Sequence, residues 1–390
     1  MHIFLSAGEP SGDQHAAHLI AELRRRRPDL EFSGLGGPHM ERAGCRLLYR
    51  LTDLAVMGVW AVIPLLRTFF RLVKQAECHF RETGPDAVIL VDFPGFNWHI
   101  ARKAKAAGIP VFYFLPPQLW AWAPWRVRKM RKFVDCVLCG LPFEPDWYAA
   151  RDVEAEYVGH PFFDEVAERR LDADFCETLT SGSVPVLGVL PGSRDREIER
   201  NWPMMLGVLD RVHARLPDVR LAVASCNDRQ RNRCMELHAE SGRRLPLEFS
   251  TGKTSEIIEA AAGCLMVSGS VSLELLARTT PACVVYGVSR FLSFCFQQGY
   301  LNVDYITLPN LFADAPVFPE WIFPGNPETV RDDIAGTLCE WLSDRTALTA
   351  KVAELTALRD AFVRTGAIAN TANAVLQRLP ASVVEQTRAA

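Results

Sequence analysis

The sequence predicts an α/β protein made of two Rossmann-like, doubly wound domains facing a cleft. Three observations point there. Short aliphatic runs alternate with helix-patterned segments, the rhythm of a parallel sheet covered by helices. The rhythm pauses once, at a polar, turn-rich stretch, and then resumes. The strand-like runs end in loops rich in Gly, Ser and carboxylates, where open parallel sheets place their ligands. A chain of 390 residues favours two domains over one, and 49% hydrophobic with 23% charged residues is ample core material.

Residues 2–6 predict the first strand, and 12–27 a helix that closes on "RRRR" before Pro28. Further strands are expected at 31–35, 86–92, 109–115, 134–138 and 155–158. Residues 168–184, "ERRLDADFCETLTSGSV", predict a linker. Strands resume in "VPVLGVLPGS" (184–193), "VRLAVAS" (219–225), "CLMVSGS" (264–270) and "PACVVYG" (281–287). The expected domains are 1–167 and 185–345. Residues 346–390 form a helical segment that packs back on the first domain or on a neighbouring chain, so a homodimer is possible.

Composition excludes several classes. A net charge of −3 gives no global attraction to nucleic acid. Eleven cysteines without a framework fit a reducing cytosol better than a disulfide scaffold. Cys136 and Cys139 form C-x-x-C inside the apolar run "VDCVLCG", which reads as buried packing. "MHIFLSAG" runs straight into a glycine turn with no basic leader, and no run of about 18 apolar residues spans a bilayer.

Four strand ends carry candidate chemistry. "AVILVDFPGFN" (87–97) finishes an aliphatic run with Asp92 before breaking at Pro94-Gly95, which sets a carboxylate at the lip of a parallel sheet. In "SAGEPSGDQHAAHLI" (6–20), Gly8 and Gly12 permit tight turns, Ser11 can cap a helix and Asp13 lies in its first turn. That loop, with Glu9, reads either as a helix start or as a substrate loop, and it lacks a dinucleotide glycine fingerprint. "VLPGSRDREIE" (189–199) sets Gly192, Ser193 and Arg194 before a helix, an arrangement suited to a diphosphate; the alternative is an ion pair of Arg194 with Glu197 or Glu199. In "VSGSVSLELL" (267–276), Gly269 and Ser270 open a helix whose Glu274 is placed either to meet a ribose diol or to lie on the surface. Two phosphate-style loops in one domain and a carboxylate in the other suggest a nucleotide-sugar transferase.

The ordered motifs "AGEPSGD" (7–13), "GLGGPHM" (34–40), "LAVMG" (54–58), "VDFPGFN" (91–97), "LWAW" (119–122), "LPFE" (141–144), "VGHP" (158–161), "LPGSR" (190–194), "SGS...LE" (268–274) and "LPNL" (308–311) resemble bacterial lipid-A-disaccharide synthases. The resemblance implies a two-domain glycosyltransferase architecture, cytoplasmic and peripheral to the inner membrane. It implies transfer of 2,3-diacylglucosamine from UDP to 2,3-diacylglucosamine 1-phosphate, with inversion and without metal or other cofactor. It carries the essential aspartate onto Asp92 and the essential arginine onto Arg194. It also implies substrate contacts from Asn97, His160 and Asn310, with His160 equally placed to be a structural residue in the turn between the domains. A related UDP-sugar transferase or epimerase, or a silent lipid-binding homologue, is the alternative. The chain departs from the family pattern at Gly95, where the family has a second acid, at Ala61 (a glutamate), in "GSVSLE" (a "GTAALE"-type loop), and at Gly287 (an arginine).

A diacylated sugar needs an apolar surface. In "VMGVWAVIPLLRTFFRLV" (56–73), Val59, Val62, Ile63, Leu66, Phe69 and Phe70 recur at helical intervals beside Arg67, Arg71 and Lys74. That is either an interfacial helix or a core helix with a basic edge. "LWAWAPWRVRKMRK" (119–132) adds tryptophans among cations, suited to a membrane boundary or to the acceptor phosphate.

Overall fold

A computed structural model describes residues 1–54, 66–182, 184–288, 305–325 and 327–379. They form two compact units, Met1–Asp164 with the chain from Arg364 onward, and Glu165–Val363. Each unit is built on one parallel sheet.

The first sheet has seven strands, β1 (His2–Ala7), β2 (Glu31–Gly36), β3 (Arg46–Arg50), β4 (Ala87–Val91), β5 (Val111–Phe114), β6 (Cys136–Cys139) and β7 (Ala155–Tyr157), in spatial order β3-β2-β1-β4-β5-β6-β7. Every residue of β4 is buried, as expected of an aliphatic strand covered on both faces. Cys136 and Cys139 lie buried in β6, as packing. The winding reverses between β1 and β4, with Ala7 beside Val91, so the ends of those two strands make the unit's topological switch point. Helices α1 (Pro10–Arg26), α2 (Pro38–Arg42), α3 (Leu66–Thr83), α4 (Pro94–Ala106) and α5 (Val127–Phe133) flank the sheet. In α1, proline opens the helix, Asp13 is in the first turn and three arginines occupy the last, each favourable for the helix ends.

The second sheet has six strands, β8 (Val186–Leu190), β9 (Arg220–Ser225), β10 (Leu247–Thr251), β11 (Gly263–Val267), β12 (Ala282–Val288) and β13 (Glu320–Pro324), in order β10-β9-β8-β11-β12-β13. Its switch point lies at the ends of β8 and β11. The helices of this unit include α6 (Ala173–Thr180), α7 (Asp195–Arg215) and α8 (Val271–Ala277), and α7 and α8 follow β8 and β11.

Three strands escape the sequence pattern: β3, β10 and β13. All are edge strands with half-exposed residues, so none has a continuous aliphatic run. The stretch expected as a linker contains α6. Its N-cap Asp172 accepts from the Phe175 N–H at 3.1 Å and from Lys253 at 2.6 Å, while Arg169 donates to Ser255 at 2.6 Å. The polar residues that suggested a loop are therefore a helix cap and its partners. The final helices divide between the units. Arg345–Phe362 belongs to the second. Ala367–Arg378 returns to the first, where Asn370 donates to the Val158 carbonyl at 3.1 Å and Arg378 pairs with Glu154 and Glu156.

Asp13 proves to be part of this framework. Its carboxylate is 1% exposed and accepts from the N–H groups of Gly37 at 2.8 Å, His39 at 2.9 Å and Met40 at 3.0 Å. A Cβ on Gly37 would lie 2.6 Å from an Asp13 oxygen, which is why glycine stands there. The expected substrate contact from Asp13 is thus corrected: this carboxylate is saturated by the α2 loop and ties "AGEPSGD" to "GLGGPHM". Asp13→Asn turns an amide NH₂ onto those donors and removes charge-assisted bonds. It is expected to lower unfolding free energy by about 2–3 kcal/mol in urea titration. A loss below about 0.5 kcal/mol contradicts the assignment.

Candidate active site

At the end of β4 the backbone takes a rare course. Asp92 and Phe93 have φ of 45° and 48°, two consecutive left-handed residues without glycine. Such residues cost on the order of 1–3 kcal/mol each and persist only where their surroundings fix them. The surroundings are explicit. Asn97 donates to the Asp92 carbonyl at 2.7 Å and to the Val91 carbonyl at 3.2 Å, and the Tyr113 hydroxyl donates to the Asp92 carbonyl at 2.8 Å. Ser6 in turn donates to Asn97 at 2.7 Å. The Phe93 ring lies over Gly8, where a Cβ would come within 2.1 Å of it.

The elbow presents the Asp92 side chain half-buried at the switch point. Burial raises its pKa above the ordinary aspartate value, against the opposing pull of the Phe93 N–H and of His15. His15 is buried on α1, its ring centroid 6.5 Å from that of His160. His160 accepts at Nδ1 from the Phe162 N–H at 3.2 Å. The structure therefore gathers Asp92, His15 and His160 in one corner. The sequence reading missed His15, because nothing in the string separates it from the exposed His18 one turn on.

Among the other expected contacts of this unit, Glu9 and Ser11 are exposed at the start of α1, and Gly12 is buried against Val91. Asn97 requires correction. It is fully buried with both ends of its amide bonded, so it holds the elbow and does not reach a substrate. "LWAW" and "LPFE" are likewise joined internally: buried Glu144 accepts from the Trp120 indole N–H at 3.1 Å and from the Leu141 N–H at 3.2 Å, and burial pushes that carboxyl up to about 7.

Beside the elbow, an apolar pocket of about 200 Å³ is lined by Leu54, Leu66, Phe69, Phe70, Val73, Phe93, Gly95, Phe96 and His99. Leu66 and Phe70 are 43% and 66% exposed, while Phe69 stacks near Phe96 at 5.5 Å. Three of the six expected acyl contacts thus line one pocket. Val59, Val62 and Ile63 lie outside the described residues. No helix among the described residues is long and apolar enough to cross a membrane.

In the second unit, "LPGSR" leaves β8 through Gly192, at φ 106°, a value that suits glycine. Ser193 and Arg194 are exposed at the N-terminus of α7, and Arg194 donates to Glu197 at 2.8 Å. Gly269 and Ser270 are exposed at the end of β11, opening α8. These four residues flank the switch point. Two expected contacts are corrected. Glu274 is neither a surface group nor open to a diol: it is 2% exposed and bonded by Arg278 at 3.0 Å. Asn310 is fully buried, donating to the Phe318 carbonyl at 2.7 Å and to Glu320 at 2.8 Å while accepting from the Phe318 N–H at 2.7 Å. At Gly287 a Cβ would lie 2.9 Å from Arg200, whose guanidinium donates to the Gly287 carbonyl at 3.4 Å. Among the described residues, no three His, Cys, Asp or Glu side chains cluster as metal ligands do.

A family model of lipid-A-disaccharide synthetases matches residues 3–356. The lipid-A-disaccharide synthase of Myxococcus xanthus is 36% identical over 383 residues, 97% of each chain, and that of Nitrosococcus oceani is 34% identical over 82% of each. Among solved structures, a UDP-GlcNAc 2-epimerase of Neisseria meningitidis bound to UDP-GlcNAc superposes with TM-score 0.64 at 10% identity, covering 97% of this chain and 100% of that one. MurG of Acinetobacter baumannii gives 0.56 at 12%, covering 96% and 99%. At those identities the structural likeness speaks for the fold alone. The extent of the sequence match decides the rest: the chain belongs to the lipid-A-disaccharide synthase family of glycosyltransferases.

Proposed function

We propose that the chain transfers a 2,3-diacylglucosaminyl group from UDP to the 6-hydroxyl of 2,3-diacylglucosamine 1-phosphate, inverting the anomeric carbon and releasing UDP. The observation that carries this reading is the Asp92 elbow, a strained and multiply held backbone that presents a carboxylate at a switch point. Asp92 takes the proton of the acceptor hydroxyl as the O6–C1 bond forms and the C1–O bond to the diphosphate breaks. His15 bears on the charge of that carboxylate, and His160 lies beside His15. In the second unit Arg194, Ser193 and the first N–H groups of α7 meet the charge that gathers on the departing diphosphate. The Arg194–Glu197 pair is exposed, so exchanging the carboxylate for a diphosphate costs about 1 kcal/mol or less. Glu9 and Ser11 contact the acceptor from the α1 loop, and Gly269 and Ser270 the nucleotide.

The acyl chains enter the pocket beside Phe93, and the protein meets the inner face of the cytoplasmic membrane peripherally. Leu66 and Phe70 stand exposed on α3 among Arg67, Arg71 and Lys74, and Trp125 is 66% exposed ahead of the basic α5. That combination suits the interface of an anionic bilayer.

Four outcomes are expected. Asp92→Asn, assayed by mass spectrometry with both substrates, loses about 100-fold or more in kcat; near-normal turnover removes the base. Its melting temperature at neutral pH equals or exceeds that of the parent. A folded-state pKa raised by burial means that the ionised carboxylate subtracts stability as pH rises through that value, and the amide relieves this. The kcat/KM profile falls on the acid side at a pH above the ordinary aspartate range, since only ionised Asp92 accepts the proton; a limb near 4 or below excludes Asp92 as its source. Vesicles of phosphatidylcholine with phosphatidylglycerol retain the protein at low salt and release it at high salt, whereas no retention at low salt defeats the peripheral reading.

A further inference from the structure

The pocket beside the elbow has a charged rim that the reaction chemistry above leaves unused. His99 lines the pocket, and Arg102 follows one helical turn later on α4, both exposed. Helix α5 packs against α4 and brings Lys129 over the ring of Trp98, at 5.7 Å. Neither α4 nor α5 contains a carboxylate. The neighbouring cations of α4 are neutralised from elsewhere: Lys103 pairs with Glu77 at 2.8 Å and Lys105 with Asp135 at 2.7 Å. Among the described residues Arg102 and Lys129 have no such partner. Both are close enough to His99 to push its imidazole pKa down, in addition to the larger effect of its partial burial. A local excess of positive charge is thus held at one edge of an apolar pocket, in a chain whose net charge is −3.

The spacing along the helix is informative. From Pro94, beside the elbow, to His99 is about 7.5 Å at 1.5 Å per residue. That is comparable to the reach across one hexose, from the 6-hydroxyl to a substituent on the anomeric carbon. An acceptor whose hydroxyl meets Asp92 carries its 1-phosphate to this rim while its acyl chains lie over the phenylalanines.

We propose that His99, Arg102 and Lys129 form an anion subsite at the pocket rim that takes the phosphomonoester of an acylated sugar phosphate. The assignment rests on the acceptor reading above and deepens it. Arg102 supplies a planar fork for two phosphate oxygens and Lys129 a point charge. The pocket beneath makes the site selective for a phosphate that carries apolar chains.

The test is binding measured apart from turnover. Intrinsic tryptophan fluorescence follows titration of detergent-dispersed 2,3-diacylglucosamine 1-phosphate, and of the same sugar without its phosphate, into the parent chain and an Arg102→Gln/Lys129→Gln double variant. Both residues are exposed, and thermal melting verifies the fold. The parent is expected to bind the phosphorylated form about tenfold or more tightly than the other, and the variant to bind both alike. In the mass-spectrometric turnover assay the variant raises KM for the phosphorylated acceptor by the same factor and leaves KM for the UDP donor unchanged. Equal affinity of the parent for both sugars, or undiminished preference in the variant, overturns the subsite. So does a variant that keeps its acceptor preference and loses only its retention on phosphatidylglycerol vesicles, because the cluster then reads bilayer headgroups. A parent that shows the binding preference yet transfers to neither sugar sinks the catalytic reading and leaves the subsite standing.

Discussion

The first unit is organised around one backbone event, the left-handed turn at Asp92 and Phe93. A strand buried on both faces cannot expose a carboxylate along its length. It does so at its end, by bending the chain into a conformation that side chains disfavour. The cost is met locally, by Asn97 and Tyr113 on the Asp92 carbonyl and by the packing of Phe93 on Gly8. Ser6 orients Asn97, so the end of β1 and the end of β4 are fixed together. The same bend starts α4, and α4 carries the pocket wall at Gly95, Phe96 and His99. The Asp92 carboxylate, the apolar pocket and the charged rim therefore share one origin in the chain, which fixes their spacing without help from loop packing.

Much of this was legible in the sequence, because parallel sheets write their central strands as aliphatic runs and their switch points as loops of small residues. The break of "AVILVDFPGFN" marked the elbow directly. What stayed hidden has physical causes. The edge strands β3, β10 and β13 are half-exposed and so lack the run. The segment 168–184 looked like a linker because a capped helix start and a loop use the same residues. His15 had no signal at all, since its place in the corner depends on the pairing of β1 with β4 and on the turn before α1.

A subtler limit concerns the motifs. Four of the polar residues they singled out, Asp13, Asn97, Asn310 and Glu274, are buried and internally bonded. A motif reports constraint, and constraint arises as readily from fixing a loop as from touching a substrate. Buried polar groups are costly unless every bond is made, so the residues that satisfy backbone donors beside a site are as restricted as those inside it. Burial with complete hydrogen bonding separates the two kinds, and a sequence contains neither quantity.

The departures at Gly95 and Gly287 fit the same logic. At Gly95 nothing lies within 4 Å of an added Cβ, so losing the family's acid there leaves the elbow and the pocket wall intact and removes only a charge from the rim. An acid at that position would sit on the helix that carries His99 and Arg102, opposing their attraction for an anion. Its absence leaves the rim more strongly positive. At Gly287 the guanidinium of Arg200 donates from α7 to the glycine's own carbonyl at 3.4 Å. In the second unit the Arg194–Glu197 pair contributes about 1 kcal/mol or less to the fold, in contrast to the multiply bonded elbow of the first. The two units present their polar groups by opposite means: Asp92 by rigid backbone geometry, Arg194 by exposure at a helix end.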